Sequence, residues 1–98
     1  MPGFRVSGKA RDDIRDIGRY TQALWGRAQR RIYLSDMETQ FRHLAENPDI
    51  APKREEFDPP VRLFRYGNHL IVYRSENDGI LIVRILHERM DIPANLGG

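Results

Sequence analysis

The chain has no cysteine, so neither a disulfide frame nor a thiolate nucleophile is open to it. Long apolar runs are missing too. No window approaches the roughly 18 apolar residues of a membrane-spanning helix, and the opening Met1-Pro2-Gly3-Phe4-Arg5 lacks the apolar centre of a signal peptide. A soluble, cytoplasmic protein is the expectation. Histidine is confined to His43, His69 and His87, at spacings that match no metal site, so no metal is expected. A phosphate-cradling glycine loop and a nucleophile motif are also absent, and no cofactor is expected. Lysine is scarce: apart from Lys9 and Lys53 every basic residue is arginine, the side chain suited to bidentate contacts with carboxylate or phosphate. The net charge of +2 is too small to imply sequence-specific DNA binding.

What is present fits one globular domain over residues 1–98, with 40% hydrophobic and 31% charged residues. Phe4-Arg5-Val6-Ser7 alternates as a short strand, and Ser7 is a good helix N-cap. From Lys9 to Trp25 the residues Ala10, Ile14, Ile17, Thr21, Leu24 and Trp25 fall on one helical face. Gly26 closes that helix. A second helix is predicted over about residues 27–46, with the stripe Tyr33, Leu34, Met37, Phe41, Leu44 and Ala45, stopped by Asn47-Pro48. One short turn between them predicts an antiparallel helical hairpin. Residues 48–60 hold four prolines and read as an irregular surface connection. Three strands follow, at about 61–66, 69–75 and 80–87, joined by the turn signals Gly67-Asn68 and Asn77-Asp78-Gly79. The last two are apolar on both faces over much of their length, which predicts central or covered strands.

This order, β-α-α-β-β-β, predicts an α+β fold with the helical hairpin on one face of a mainly antiparallel sheet. The other face is left bare unless the tail 91–98 folds over it. Arg74 and Arg84 end apolar strands, either as solvated strand-end charges paired with Glu76, Glu88 or Asp91, or as a basic floor for an acidic partner segment. His87 leads into Arg89-Met90-Asp91, a string that either turns the chain out of the sheet or touches a target; Asp91 is placed to cap a short final turn that tolerates Pro93. Ile32 lies about 150° from the centre of its helix's apolar stripe. With Tyr20 at the stripe margin of the first helix and Ala28 alongside, it either is an ordinary exposed apolar residue or lines a groove for a partner helix. The run Arg27, Arg30 and Arg31 is either a solvated face or a dock for acidic residues.

Several phrases resemble the RelE/ParE superfamily of bacterial toxins, and most of all its ParE branch. They are Ser7 and Ala10; Phe41, Leu44, Ala45, Asn47 and Pro48; Arg65, Tyr66, Gly67, Ile71, Tyr73 and Arg74; and Arg84, Leu86, His87, Arg89, Met90 and Asp91. The resemblance implies a toxin of a type II toxin–antitoxin system that inhibits DNA gyrase by binding it. It also implies neutralisation by a ParD-like antitoxin in a hetero-oligomer, two toxins on an antitoxin dimer being one such form. On this reading Tyr20, Leu24, Ala28, Arg31, Ile32, Arg62, Arg74 and Arg84 meet the antitoxin, and His87, Arg89, Met90 and Asp91 meet the target. The enzyme alternative within the superfamily is a RelE-type ribosome-dependent mRNA endonuclease. It would use His87 as acid or base with Arg74 and Arg84 as phosphate clamps.

Overall fold

The computed structural model describes residues 3–96; the expectations touching Met1, Pro2, Gly97 and Gly98 lie outside the described residues. In chain order the elements are β1 (Gly3–Val6), α1 (Gly8–Trp25), α2 (Arg27–Glu46), a 3₁₀ turn (Pro48–Ile50), β2 (Lys53–Arg54), β3 (Val61–Tyr66), β4 (His69–Glu76), β5 (Gly79–His87) and α3 (Ile92–Leu96). The strands form one sheet in the order β1-β5-β4-β3-β2. Only β1 and β5 run parallel; the other neighbours are antiparallel. The two most apolar strands, β4 and β5, are therefore interior to the sheet, as their composition predicts.

The helical hairpin covers one face. Ala10 of α1 and Met37, Phe41, Leu44 and Ala45 of α2 pack on Ile71 and Tyr73 of β4 and on Ile80, Ile82 and Ile85 of β5. Ser7 caps α1 as expected, its Oγ accepting the Ala10 N–H at 3.0 Å. The same hydroxyl donates to the Val83 carbonyl at 2.7 Å. Here β5 carries an extra residue: Val72 pairs with Arg84 but Tyr73 pairs with Ile82, leaving Val83 as a bulge. Beyond the bulge β1 has ended, and α1 takes over the open edge, with Asp13 Oδ2 accepting the Ile85 N–H at 2.9 Å.

Some expectations change. Leu24 and Trp25 do not complete the buried stripe of α1; they are 55% and 71% exposed, because α1 outruns the sheet near the hairpin turn. The buried contact there is Gly18 instead, over which the Arg30 guanidinium lies while donating to Gln22 Oε1 at 2.7 Å. The connection 48–60 is not wholly irregular, since Lys53 and Arg54 pair with Arg62 and Val61 as an edge strand. The second face of the sheet follows the stated alternative to a bare face: the tail folds over it, and the connection 48–60 joins it. Val61, Val72 and Leu86 are buried there under Phe57, Leu63, Val83, Ile92 and Leu96. Phe57 of the connection and α3 thus close part of that face. Asp91 starts α3 as expected, its Oδ1 accepting the Ala94 N–H at 3.2 Å.

Candidate partner-binding surfaces

Two surfaces remain open after the core is assembled. The first is the outer side of the helical hairpin. Tyr20 and Leu24 stand one turn apart on α1, and Ala28 and Ile32 stand one turn apart on α2. Tyr20 is 68% and Ile32 53% exposed. Ala28 and Arg31 are also exposed. Trp25, a core residue by its spacing, is exposed at the end of α1 instead.

The second is a groove of about 660 Å³ on the second sheet face. Its floor is Val61, Arg74 and Val83, one wall is the stretch from Arg54 to Pro59, and the other is Met90, Ile92, Pro93 and Leu96. Among the described residues Arg74 has no ion-pair partner, whereas Arg54 at the rim is held by Glu56 at 2.7 Å. Of the carboxylates expected to pair with the strand-end arginines, Glu76 is held by Arg5, Glu88 by Arg65, and Asp91 caps α3.

Two other arginines expected to meet the antitoxin, Arg84 and Arg62, do not line this groove. Arg84 is locked between elements: its Nε and Nη2 donate to the Asp13 carboxylate at 2.8 and 3.0 Å, and its Nη1 donates to the Asn95 carbonyl at 3.0 Å. The Asp13 contact raises its pKa above the ordinary arginine value. This is a clamp joining α1, β5 and α3, with no free donor fork for a partner. Arg62 is on the helix-covered side, where it binds the Ala51 carbonyl and, at 3.0 Å, Asp49. Nothing in the sequence marks Asp13 as the partner of Arg84, since the two meet only when α1 crosses the end of β5.

His87 faces a neighbour that no local spacing in the sequence links to it. It pairs across the strands with His69, the two rings edge-to-face with centroids 5.7 Å apart. His69 Nδ1 is 2.7 Å from Tyr33 Oη, and Tyr33 stacks at a tilt on Tyr66. Burial, then His87, pushes the His69 pKa down, and Glu88 opposes this. Burial, then Asp36 and Tyr33, pushes the Tyr66 phenol up to about 12. Arg89, Met90 and Asp91 follow as an exposed turn. The residues named for a nuclease are not brought together. His69, the partner of His87, lies five positions along β4 from Arg74, about 17 Å at the usual strand rise, and Arg84 is tied to Asp13.

Two helices packed on one face of a five-stranded, mainly antiparallel sheet make this a small α+β domain of the RelE/ParE type. The chain belongs to the ParE toxin family of type II toxin–antitoxin systems, whose family model, described as the ParE toxin of the parDE system, matches residues 4–92. It is 30% identical to Toxin ParE1 of Caulobacter vibrioides over 97 residues, covering 99% of this chain and 100% of that one. It is 32% identical to Toxin ParE1 of Mycobacterium tuberculosis over 94 residues, covering 95% and 96% of the two chains. With Toxin ParE of Escherichia coli the identity is 33% over 97 residues, covering 98% and 94%. A solved structure described as the chromosomal ParDE system of P. aeruginosa shares the fold, with a TM-score of 0.74 at 21% identity over 89% of this chain and 96% of that one.

Proposed function

We propose that this toxin acts by binding DNA gyrase and inhibiting it, and that a ParD-like antitoxin silences it by covering both open surfaces. The observation that carries the reading is the large apolar side chains left uncovered on the hairpin, Tyr20, Leu24, Trp25 and Ile32, each more than half exposed. An amphipathic helix is the complementary shape, and the neighbouring Arg27 and Arg31 favour acidic residues along its margin. The antitoxin's extended end then lies in the groove of the second face, with a carboxylate on Arg74. The toxin and antitoxin form a hetero-oligomer. His87, Arg89, Met90 and Asp91, at the exit of β5, are the target-facing group.

The test is a supercoiling assay with purified gyrase. The toxin is expected to inhibit, and an equimolar antitoxin from the same operon to relieve the inhibition. Normal supercoiling under a stoichiometric excess of toxin overturns the gyrase assignment. Leu24→Asp and Ile32→Asp place a charge in the antitoxin contact and are expected to weaken the complex by tenfold or more. Both variants should fold as the parent does, since neither side chain is in the core. His87→Ala separates binding from hydrolysis, because full toxicity of that variant excludes a nuclease that depends on this imidazole.

A further inference from the structure

We propose, taking the antitoxin reading above as given, that the hollow between α1 and α2 lined by Gln22, Arg27, Arg30, Arg31 and Leu34 is a receptor for two carboxylates. The antitoxin helix would carry them one helical turn apart. Charge is distributed unevenly along the chain. Residues 17–35 hold Arg19, Arg27, Arg30 and Arg31 and no acid, whereas the rest of the chain has more acidic than basic residues. Three of these arginines border one hollow of about 400 Å³. Among the described residues none of the three has an ion-pair partner, while Arg5, Arg54, Arg62, Arg65 and Arg84 each meet a carboxylate. Like charges gathered round one hollow repel, so an anion seated among them is attracted by all three.

One of the three cations is held in place before any partner arrives. Arg30 is half-buried, and its Nη1 donates to Gln22 Oε1 at 2.7 Å. A glutamate at position 22 would orient the guanidinium equally well but would also neutralise it. The neutral amide fixes the fork and leaves it charged. Gly18 makes the room: a Cβ built there would lie 2.9 Å from Arg30 Nε and 3.3 Å from its Cζ. Glycine inside a helix is destabilising relative to alanine, and here it provides the seat of that guanidinium. Arg27 and Arg31 are exposed at the hollow and stand one turn apart on α2, about 6 Å along the helix.

The neighbouring residues select the occupant. The row Ala28 and Ile32 is turned about 100° from the row Arg27 and Arg31 on the same helix. A partner helix that covers Ala28 and Ile32 with its apolar stripe therefore brings the flank of that stripe over the arginines. Acids three or four positions apart on that flank match two guanidinium groups one turn apart. The backbone of a nucleic acid would meet the same cations, but it has no apolar stripe to cover Ile32, which is 53% exposed beside them. Charge and apolar surface together fit an acidic amphipathic helix.

The test is the Kd of the full toxin chain for the antitoxin of its own operon, at low and at high salt. The double variant Arg27→Ser with Arg31→Ser is expected to bind about tenfold or more weakly at low salt and to show a flatter salt dependence. Gly18→Ala is the decisive variant. As an ordinary helix position, Gly18 would give on substitution a more stable toxin of unchanged affinity. As the seat of Arg30, it should give a toxin at least as stable by urea midpoint but bound about threefold or more weakly. Double-mutant cycles of Arg27→Ser and of Arg31→Ser against each Asp→Asn and Glu→Gln of the antitoxin should find coupling at two acids, three or four positions apart. Unchanged affinity in the double arginine variant, or coupling to no acid, overturns the receptor; unchanged affinity in Gly18→Ala overturns the seating of Arg30. Ile32→Asp separates the two levels: if it weakens the complex while the arginine variants do not, the receptor fails alone, and if it too is silent the hairpin reading fails with it. Binding of a random-sequence DNA duplex that the arginine variants abolish, with antitoxin affinity kept, would make the hollow a nucleic-acid contact and overturn the carboxylate assignment.

Discussion

Asp13 and Arg84 are separated by 71 positions in sequence and meet through two parallel hydrogen bonds. Both side chains are largely shielded, at 15% and 17% exposure, and Asp13 also satisfies the Ile85 N–H. A charge left unpaired in such a place is costly. Asp13→Ala is expected to lower stability by about 2–4 kcal/mol, read as a lower urea midpoint with an unchanged slope. Asp13→Asn keeps an acceptor for Ile85 and should lose less. A near-neutral Asp13→Ala would show that the clamp contributes nothing net. His69 gives the residue-scale pH dependence. Its pKa is lower in the folded chain than the ordinary 6.5, so between those two values the unfolded chain binds more protons. The stability that this group contributes is complete above pH 6.5 and is lost as the pH falls through the window, levelling off once the folded ring also protonates. Urea midpoints measured from pH 7.5 to 5 should fall toward acid in the parent, and more shallowly in His69→Gln.

At the level of elements, local signals and long-range ones were unequally readable. Ser7 as cap, Asn47-Pro48 as stop and Gly67-Asn68 as turn act within a few residues, and each sits where expected. The stripe of α2 from Met37 to Ala45 is buried because period 3.6 and the sheet's flat face leave little choice. The stripe of α1 misled at Leu24 and Trp25, since spacing cannot tell where the supporting sheet ends. The strand at Lys53–Arg54 has two residues and no apolar alternation, so only its pairing with β3 reveals it. The hairpin surface was legible through Ile32, the one apolar residue opposed to its helix's stripe. The groove was not, because it is made by Phe57 and α3 meeting over β3 and β4. The parallel β1–β5 pair depends on a point that looks ordinary in sequence. Gly79 has φ +150°, and a Cβ built on it would lie 1.8 Å from the Gly3 carbonyl oxygen. Both facts forbid a side chain there. Gly79→Ala is expected to displace β1 and cost about 3 kcal/mol or more, visible as loss of amide protection at Ile80 and Ile82. Retention of that protection would mean the pair is more pliable than its geometry.

The whole molecule is a sheet with one face fully roofed and the other roofed in part, and that asymmetry is where stability and function meet. On the roofed face the core alone can hold the fold. On the other, Val61, Val72 and Leu86 stay dry through Phe57, Ile92 and Leu96, of which the last two belong to a five-residue helix. That helix is tied down by Arg84 through the Asn95 carbonyl. Each of its two apolar side chains would stabilise by about 1.5–3 kcal/mol if fully buried, and they are only half-buried. A chain ending at Asp91 should therefore remain folded but lose about 2–3 kcal/mol, a drop of roughly 8–20 °C in Tm for a domain of this size. If a partner's extended segment occupies the groove that α3 borders, that segment can replace Ile92 and Leu96 over Val72 and Leu86. The shortened toxin should then recover most of its lost Tm when bound to the antitoxin. Calorimetry of the parent and the shortened chain, each free and in complex, checks this directly. An equal Tm deficit in both states would mean that α3 and the partner do not share the second face, and that recognition is confined to the helical hairpin.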